Sequence, residues 1–225
     1  MNIEKKMTHI WIGPKPAPTK WMNTWKDMHP EWDYSVFTDE MLRARKWRNQ
    51  SLIEEYYRRQ RYAGAHDLIR YELIYEQGGF WPAADSVCLE NTDELFTSPA
   101  DHAYTVYESE KAKPGYCSPI LAANAGNSVV KAIIDHLNKL QPHQLHPEPF
   151  MSTGNYFLSK FLPQFNNVTI WPSYTLIPQW YGSVKRYDGP GKVYAEQYFG
   201  STGARLQLKG YDEGILLCLL LKHIF

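Results

Sequence analysis

Three ionisable residues in the middle of this 225-residue chain, Asp67, Arg70 and Asp85, have types and spacing that could do chemistry together. Asp67 and Arg70 are three apart in a helical stretch, so both side chains project from one face. On their own they would make an ordinary intrahelical ion pair, contributing about 0.3–0.5 kcal/mol. Their position suggests more. The helix is followed by Gly78-Gly79 and a short apolar run leading to Asp85, which predicts that all three reach one rim. In an open α/β sheet, ligands bind at the carboxyl ends of the strands.

The elements that must position these residues alternate in type. Residues 7–13 (MTHIWIG) read as a buried first strand closed by Gly-Pro, and 14–19 as a Pro-rich exit loop. A helix is expected over 21–28, a strand over 33–37, and mostly helical pieces over 39–77. The best of these is 63–77 (AGAHDLIRYELIYEQ), with Gly78-Gly79 as its stop. Phe80 and Trp81 are expected to open a strand that runs into Asp85, with further short strands over 103–107, 119–123 and 168–171. Helices are predicted over 129–140 and 156–162. Strands alternating with helices argue for an α/β fold with an open, mostly parallel central sheet flanked by helices. No internal repeat or low-complexity linker divides the chain, so a single domain over 1–225 is expected.

Three pieces together resemble the glycosyltransferase family 32 type of GT-A enzyme, which includes capsular polysaccharide and mannosyl transferases. They are similar also to the glucosylating domain of clostridial toxins. The family pattern is a small residue, Ser-Asp, two apolar residues and Arg-Tyr, then Gly-Gly, an aromatic pair and Asp-X-Asp. This chain has Ala65-His66-Asp67-Leu68-Ile69-Arg70-Tyr71, then Gly78-Gly79-Phe80-Trp81-Pro82-Ala83-Ala84-Asp85. Ile10-Trp11-Ile12-Gly13 resembles the family's opening, Thr153-Gly154 a family Thr-Gly before a helix, and residues 194–201 its closing segment. The resemblance implies a Rossmann-like GT-A domain that moves a hexose or deoxyhexose from a UDP- or GDP-linked donor to a carbohydrate acceptor. It implies that Trp11 stacks on the base, with Ile12 and Gly13 allowing close backbone approach. It assigns Asp67 and Arg70 to the donor sugar and diphosphate, and Trp81 and Ala84 to positions beside the donor. Asp85 becomes the ligand of a Mn²⁺ or Mg²⁺ ion bridging the phosphates. A core Trp on a buried strand is the plain alternative for Trp11.

The chain departs from that pattern at Ala83, where the first Asp of the motif should stand. On a strand, residues i and i+2 share a face, so two Asp at that spacing would address one metal. One Asp suffices when the donor brings phosphate oxygens, because Mg²⁺ commonly takes only one or two carboxylates. A degenerate binding module without turnover is the competing expectation. Glu196 aligns loosely with the family's closing His, and Thr202 stands where a Trp is frequent. Retention of configuration is usual for the family and needs no general base. Inversion would need a carboxylate to deprotonate the acceptor, and the sequence does not single one out.

Composition excludes several other classes. Lys plus Arg equals Asp plus Glu at 24 each, so no net field draws the protein to nucleic acid. Seven basic residues between Arg43 and Arg61 read as a solvated helix face, or as a polyanion-binding surface in a weaker alternative. Cys88, Cys117 and Cys218 form no CxxC pair, which argues against a zinc site or disulfide scaffold. Neither a signal peptide nor a transmembrane segment is expected. The longest apolar run, 215–221, falls far short of the ~20 residues a bilayer needs. The expected location is cytoplasmic, and the apolar end at Phe225 is compatible with one domain of a longer chain.

Overall fold

The computed structural model describes residues 3–181 and 183–199. The apolar run 215–221, Cys218, Thr202 and the end of the closing segment at 200 and 201 lie outside the described residues. The chain begins with β1 (Lys6–Ile10), α1 (Thr19–Met28), β2 (Asp33–Phe37), α2 (Asp39–Arg43), α3 (Gln50–Arg58) and α4 (Tyr62–Gln77). It continues with β3 (Gly79–Phe80), β4 (Ser86–Cys88), β5 (Ala103–Ser109), β6 (Lys113–Cys117) and β7 (Ala122–Ala123). Last come α5 (Ser128–Leu137), α6 (Pro149–Ser152), α7 (Asn155–Phe161), β8 (Val168–Trp171) and β9 (Ala195–Gln197).

Seven strands form one mixed, mostly parallel sheet in the order β2-β1-β3-β7-β5-β6, with β8 pairing β5. The long registers are parallel: β1 with β2 from Lys6↔Asp33 to Ile10↔Phe37, and β5 with β8 from Ala103↔Val168 to Val106↔Trp171. β1 and β3 are also parallel. β7 runs against both β3 and β5, so β5 points the same way as β3. The carboxyl ends of β1, β2, β3 and β5 therefore lie along one edge of the sheet.

Strand alternation sorts the core into two layers, one on each face. Ala103, Ala123 and Ile10 belong to a cluster with Leu68, Ile69 and Leu73 of α4, Leu52 and Ile53 of α3, and Val129 and Ile133 of α5. Their neighbours Tyr104, Ala122 and Met7 belong to the opposite cluster with Trp25, Trp32, Phe80, Phe96 and Trp171. Full burial of one such apolar side chain stabilises by about 1.5–3 kcal/mol, so most of the aromatic wealth of the sequence serves packing. α4 is buried almost all round, with residues 67–74 buried throughout, and it sits against both α3 and α5.

The Gly78-Gly79 stop has a steric cause. Gly79 has φ +89°, and a Cβ there would lie 2.5 Å from the Lys6 carbonyl oxygen of β1. Only glycine lets the chain leave α4 and enter the sheet beside β1 in so short a distance. The sequence pattern places this turn correctly but carries the following strand too far. β3 ends at Phe80, and Ala84 and Asp85 occupy a turn before β4. The Ser86 N–H and Oγ both bond the Ala83 carbonyl, at 3.2 and 2.6 Å, which closes that turn. Likewise, the first strand stops at Ile10, leaving Trp11, Ile12 and Gly13 in the loop beyond it. β6 has no counterpart among the expected strands.

Candidate active site

The loops leaving β1 and β3 emerge side by side at the carboxyl edge, and they carry most of the sequence-predicted residues. Trp11 continues the sheet for one bond, its N–H donating to the Phe37 carbonyl at 2.9 Å. Its indole N–H donates to the Lys15 carbonyl at 2.7 Å, and the ring is only partly buried. Trp11 is therefore not a core residue, and its ring remains available to a flat ligand. Gly13 is held by the Asp39 carboxylate at 3.1 and 3.3 Å, just past the end of β2. That carboxylate also accepts from the Tyr57 hydroxyl. Ile12 packs partly against the core beneath.

Asp67 and Arg70 are both buried on α4, at 7% and 4% exposure. Asp67 Oδ2 accepts from the Thr153 hydroxyl at 3.0 Å. A Cβ on Gly154 would stand 3.1 Å from that oxygen, so the glycine admits the close approach of the 153–155 corner. The Tyr71 hydroxyl donates to the Thr153 carbonyl at 2.6 Å and pins the same corner. Arg70 Nη2 lies 3.3 Å from His66 Nε2. A guanidinium only donates, so this ring nitrogen accepts, and the imidazole proton belongs on Nδ1, 3.9 Å from Asp67 Oδ1. Among the described residues, Arg70 Nε is buried with no partner, as is Nε2 of His9 on β1.

Burial dominates the electrostatics of this group. It holds His9 down to about 3, with Arg70 and His66 adding to the effect. It also lowers His66, again with help from Arg70. The Arg70 guanidinium itself is pulled below its usual range by burial, against the opposing pull of Asp67, Tyr71 and Asp85. Both imidazoles are thus neutral near pH 7, and one desolvated cation faces two carboxylates. Asp67 and Asp85 thus both act on the Arg70 charge.

Asp85 lies in the turn after β3, partly exposed, while its neighbour Ala84 is 5% exposed. Its Oδ1 accepts from Gln197 Nε2 at 2.6 Å, and its carbonyl accepts from the Tyr198 N–H at 2.9 Å. β9 pairs antiparallel with β4, so the closing segment straps the turn in place. Glu196 is turned away from this use, bonded to Arg186 Nη1 at 2.7 Å. Trp81 departs from its expected place. It is 2% exposed in the α4 layer of the core, its indole N–H donating to the Gly78 carbonyl at 2.9 Å, and it offers a ligand almost no surface.

Several residues at this place have no counterpart in the sequence-based expectations: His9, His66, Thr153 as an Asp67 partner, Gln197, and Asn155, which follows the Thr153-Gly154 corner and donates to Glu108. A polar residue inside an apolar strand was the available signal for His9 and Glu108. His66 stands one turn from Arg70, which was a signal too. The basic run from Arg43 to Arg61 is largely paired. Arg45 bonds Glu76, Arg58 and Arg59 bond Glu55, and Arg61 approaches Glu148.

The chain is similar in sequence and fold to known proteins. Residues 18–102 match the family model described as a glycosyltransferase sugar-binding region containing the DXD motif. The match covers that region of the chain, which is similar there to DXD-containing glycosyltransferases. Inositol phosphoceramide mannosyltransferase 3 of Schizosaccharomyces pombe is 23% identical over 210 residues, 88% of this chain. The chain spans 55% of the length of that relative. Among solved structures, PaToxG glycosyltransferase superposes with a TM-score of 0.56 at 16% identity, over 72% of this chain and 69% of the other. That likeness shows the fold. A glycosyltransferase involved in glycosylation of the major capsid of PBCV-1 gives a TM-score of 0.42 at 11% identity, over 76% and 83%.

Proposed function

We propose that this chain transfers a hexose or deoxyhexose from a UDP- or GDP-linked donor to a carbohydrate acceptor. The observation that carries the reading is Arg70. A buried guanidinium with an unpartnered Nε, beside Asp67 and Asp85 at the carboxyl edge of the sheet, is costly unless an anion completes it. A diphosphate supplies that anion, and Arg70 then neutralises the charge that develops on the departing group. Asp67, oriented by Thr153, faces the sugar hydroxyls, and the partly exposed Trp11 ring takes the base. Among the described residues no three metal-ligating side chains cluster. The fit to a metal is therefore one in which Asp85 contributes a single carboxylate and the donor phosphates most of the rest. Mn²⁺ or Mg²⁺ held there would add positive charge against the leaving diphosphate.

Ala83 supports a second reading, a nucleotide-sugar-binding module without turnover. Thermal shift and product assays with UDP- and GDP-hexoses, with and without Mn²⁺, separate the two. A donor at 100 times its Kd adds about 2.7 kcal/mol, which raises Tm by roughly 5–10 °C in a domain of this size. Stabilisation with release of nucleoside diphosphate supports the transferase. Stabilisation without release favours the module, and neither effect with any donor overturns both.

A further inference from the structure

Four consecutive residues lead from the Asp67 contact to an aromatic pair that none of the motifs claims. The Thr153 hydroxyl donates to Asp67 Oδ2 at 3.0 Å, Gly154 admits that approach, and Asn155 Nδ2 donates to Glu108 Oε1 of β5. Tyr156 follows on α7, and its ring meets that of Tyr116 on β6, with centroids 5.7 Å apart and planes tilted by 59°. Three residues span at most about 11 Å, so the Tyr156 backbone stays within that distance of Thr153. β6 is the edge strand, held to β5 by the pairing of Tyr107 with Cys117, the residue after Tyr116. Both rings are partly buried, and each carries an ammonium group: Lys113 over Tyr116 at 5.5 Å and Lys160 over Tyr156 at 5.6 Å. Lys131 and Lys192 bond Asp135 and Glu94, whereas among the described residues neither Lys113 nor Lys160 bonds a carboxylate.

We propose that Tyr116 and Tyr156, with Lys113 and Lys160, hold the acceptor, and that this acceptor is an anionic sugar, one bearing a carboxylate or a phosphate. The inference rests on the transferase reading above, which names the acceptor only as a carbohydrate. A ring with an apolar face and a polar edge suits the C–H face of a sugar. Two ammonium groups on adjoining rings complement a negative substituent on that sugar. Their contacts with the rings contribute only about 0.5–1 kcal/mol each at such half-exposed places, so both charges remain available to a ligand. The nearby carboxylate of Glu108 opposes them little. It is bonded to Asn155, and burial, opposed by Lys113 and reinforced by Asp67, pushes its carboxyl up to about 7. An acceptor lying on the tyrosines has the Thr153-Gly154 corner, and with it Asp67, beside it.

The test compares glucose with glucuronate and with glucose 6-phosphate, which differ at one carbon and separate carboxylate from phosphate as the source of charge. Ligand-observed NMR with UDP present reads binding without turnover, and transfer from UDP- and GDP-hexoses reads acceptor KM. In both, at least one charged sugar should be favoured over glucose by about 10-fold, two exposed charge contacts each supplying up to about fivefold. Replacing both lysines, Lys113→Met with Lys160→Met, keeps the rings and should bring the charged sugar down to the level of glucose. Tyr156→Leu should weaken charged and neutral sugars alike, by about 10-fold. Equal binding of all three sugars by the wild type would overturn the proposal, as would a preference that survives the double lysine change. Turnover without the preference sinks this inference and leaves the transferase reading standing. A protein that turns over no donor sinks that reading, and the acceptor role with it, even where it binds the charged sugar.

Discussion

Helix α4 buries two carboxylates five residues apart, and their surroundings differ. Glu72, 1% exposed, has each oxygen matched by a backbone donor: the N–H groups of Arg48 and Asn49, both at 2.8 Å. It ties the entry of α3 to α4, and burial pushes its carboxyl up even with both bonds made. Asp67 is held at one oxygen by Thr153, and its neighbour Arg70 keeps a buried donor with no partner among the described residues. A structural polar group is buried together with its partners. A site that awaits a ligand is buried with part of its hydrogen bonding unmet. The same helix therefore carries a clamp at Glu72, both of whose oxygens are bonded, and a buried unmet donor at Arg70.

Replacing Arg70 by Met should break the comparison most visibly. Turnover should fall about 100–1000-fold, the usual effect of removing one preorganised donor from developing charge. Stability should change little, because removing a buried, partly unmet cation is offset by leaving the buried Asp67 carboxylate without its nearby positive charge. An Arg70→Met protein that unfolds readily would show Arg70 to be a clamp like Glu72. Acid should act on the same half of the helix. Folded His9 stays neutral down to about 3, whereas an unfolded histidine takes its proton near 6.5. The unfolded chain then binds more protons across that window, so stability falls as pH drops through it, by up to about 1.4 kcal/mol per unit from His9. His66 and His29, also lowered by burial, act with the same sign. Urea midpoints from pH 7.5 to 4.5 should show the decline, and His9→Gln should flatten it. An equally steep decline in that variant would clear His9 of the role.

Glu72→Gln tests the clamp. One end of the amide must turn a donor toward a backbone N–H, so stability should drop by about 1–3 kcal/mol. The folded fraction should keep its wild-type turnover. A loss of kcat at full stability would place Glu72 in the site and dissolve the contrast.

Much of this fold was legible from apolar pattern and turn chemistry. Strands 33–37 and 168–171 were placed to the residue, and α4 began one residue earlier than expected. β6 was missed because its sequence, KPGYC, has neither alternation nor strand composition, and Pro114 is tolerated there only because β6 is the sheet's edge. The central pair Asp67 and Arg70 was legible from helical spacing, and Asp85 from its place after Gly-Gly. Glu108, Gln197 and His9 were not, because each joins the site through a distant segment. Glu108 meets Asn155 across 47 residues and Asp85 meets Gln197 across 112, and no local period encodes such pairs.

The smallest expected effect concerns the altered motif, and it sharpens the contrast at Asp85. Strand alternation would make positions 83 and 85 face one way, and the turn removes that reason. Burial restores the expectation on other grounds: Ala83 and Asp85 are both partly exposed, while Ala84 between them is buried. A carboxylate at 83 therefore has room, and the turn survives because its two bonds use the Ala83 backbone carbonyl, not the side chain. Ala83→Asp should thus lower the Mn²⁺ concentration needed for half-maximal donor turnover by adding one hard oxygen ligand. The maximal rate need not rise, since a tighter site also retains the product diphosphate. Mn²⁺ titrations of both proteins at saturating donor decide the point. Identical half-saturation would mean that the side chain at 83 does not address the ion.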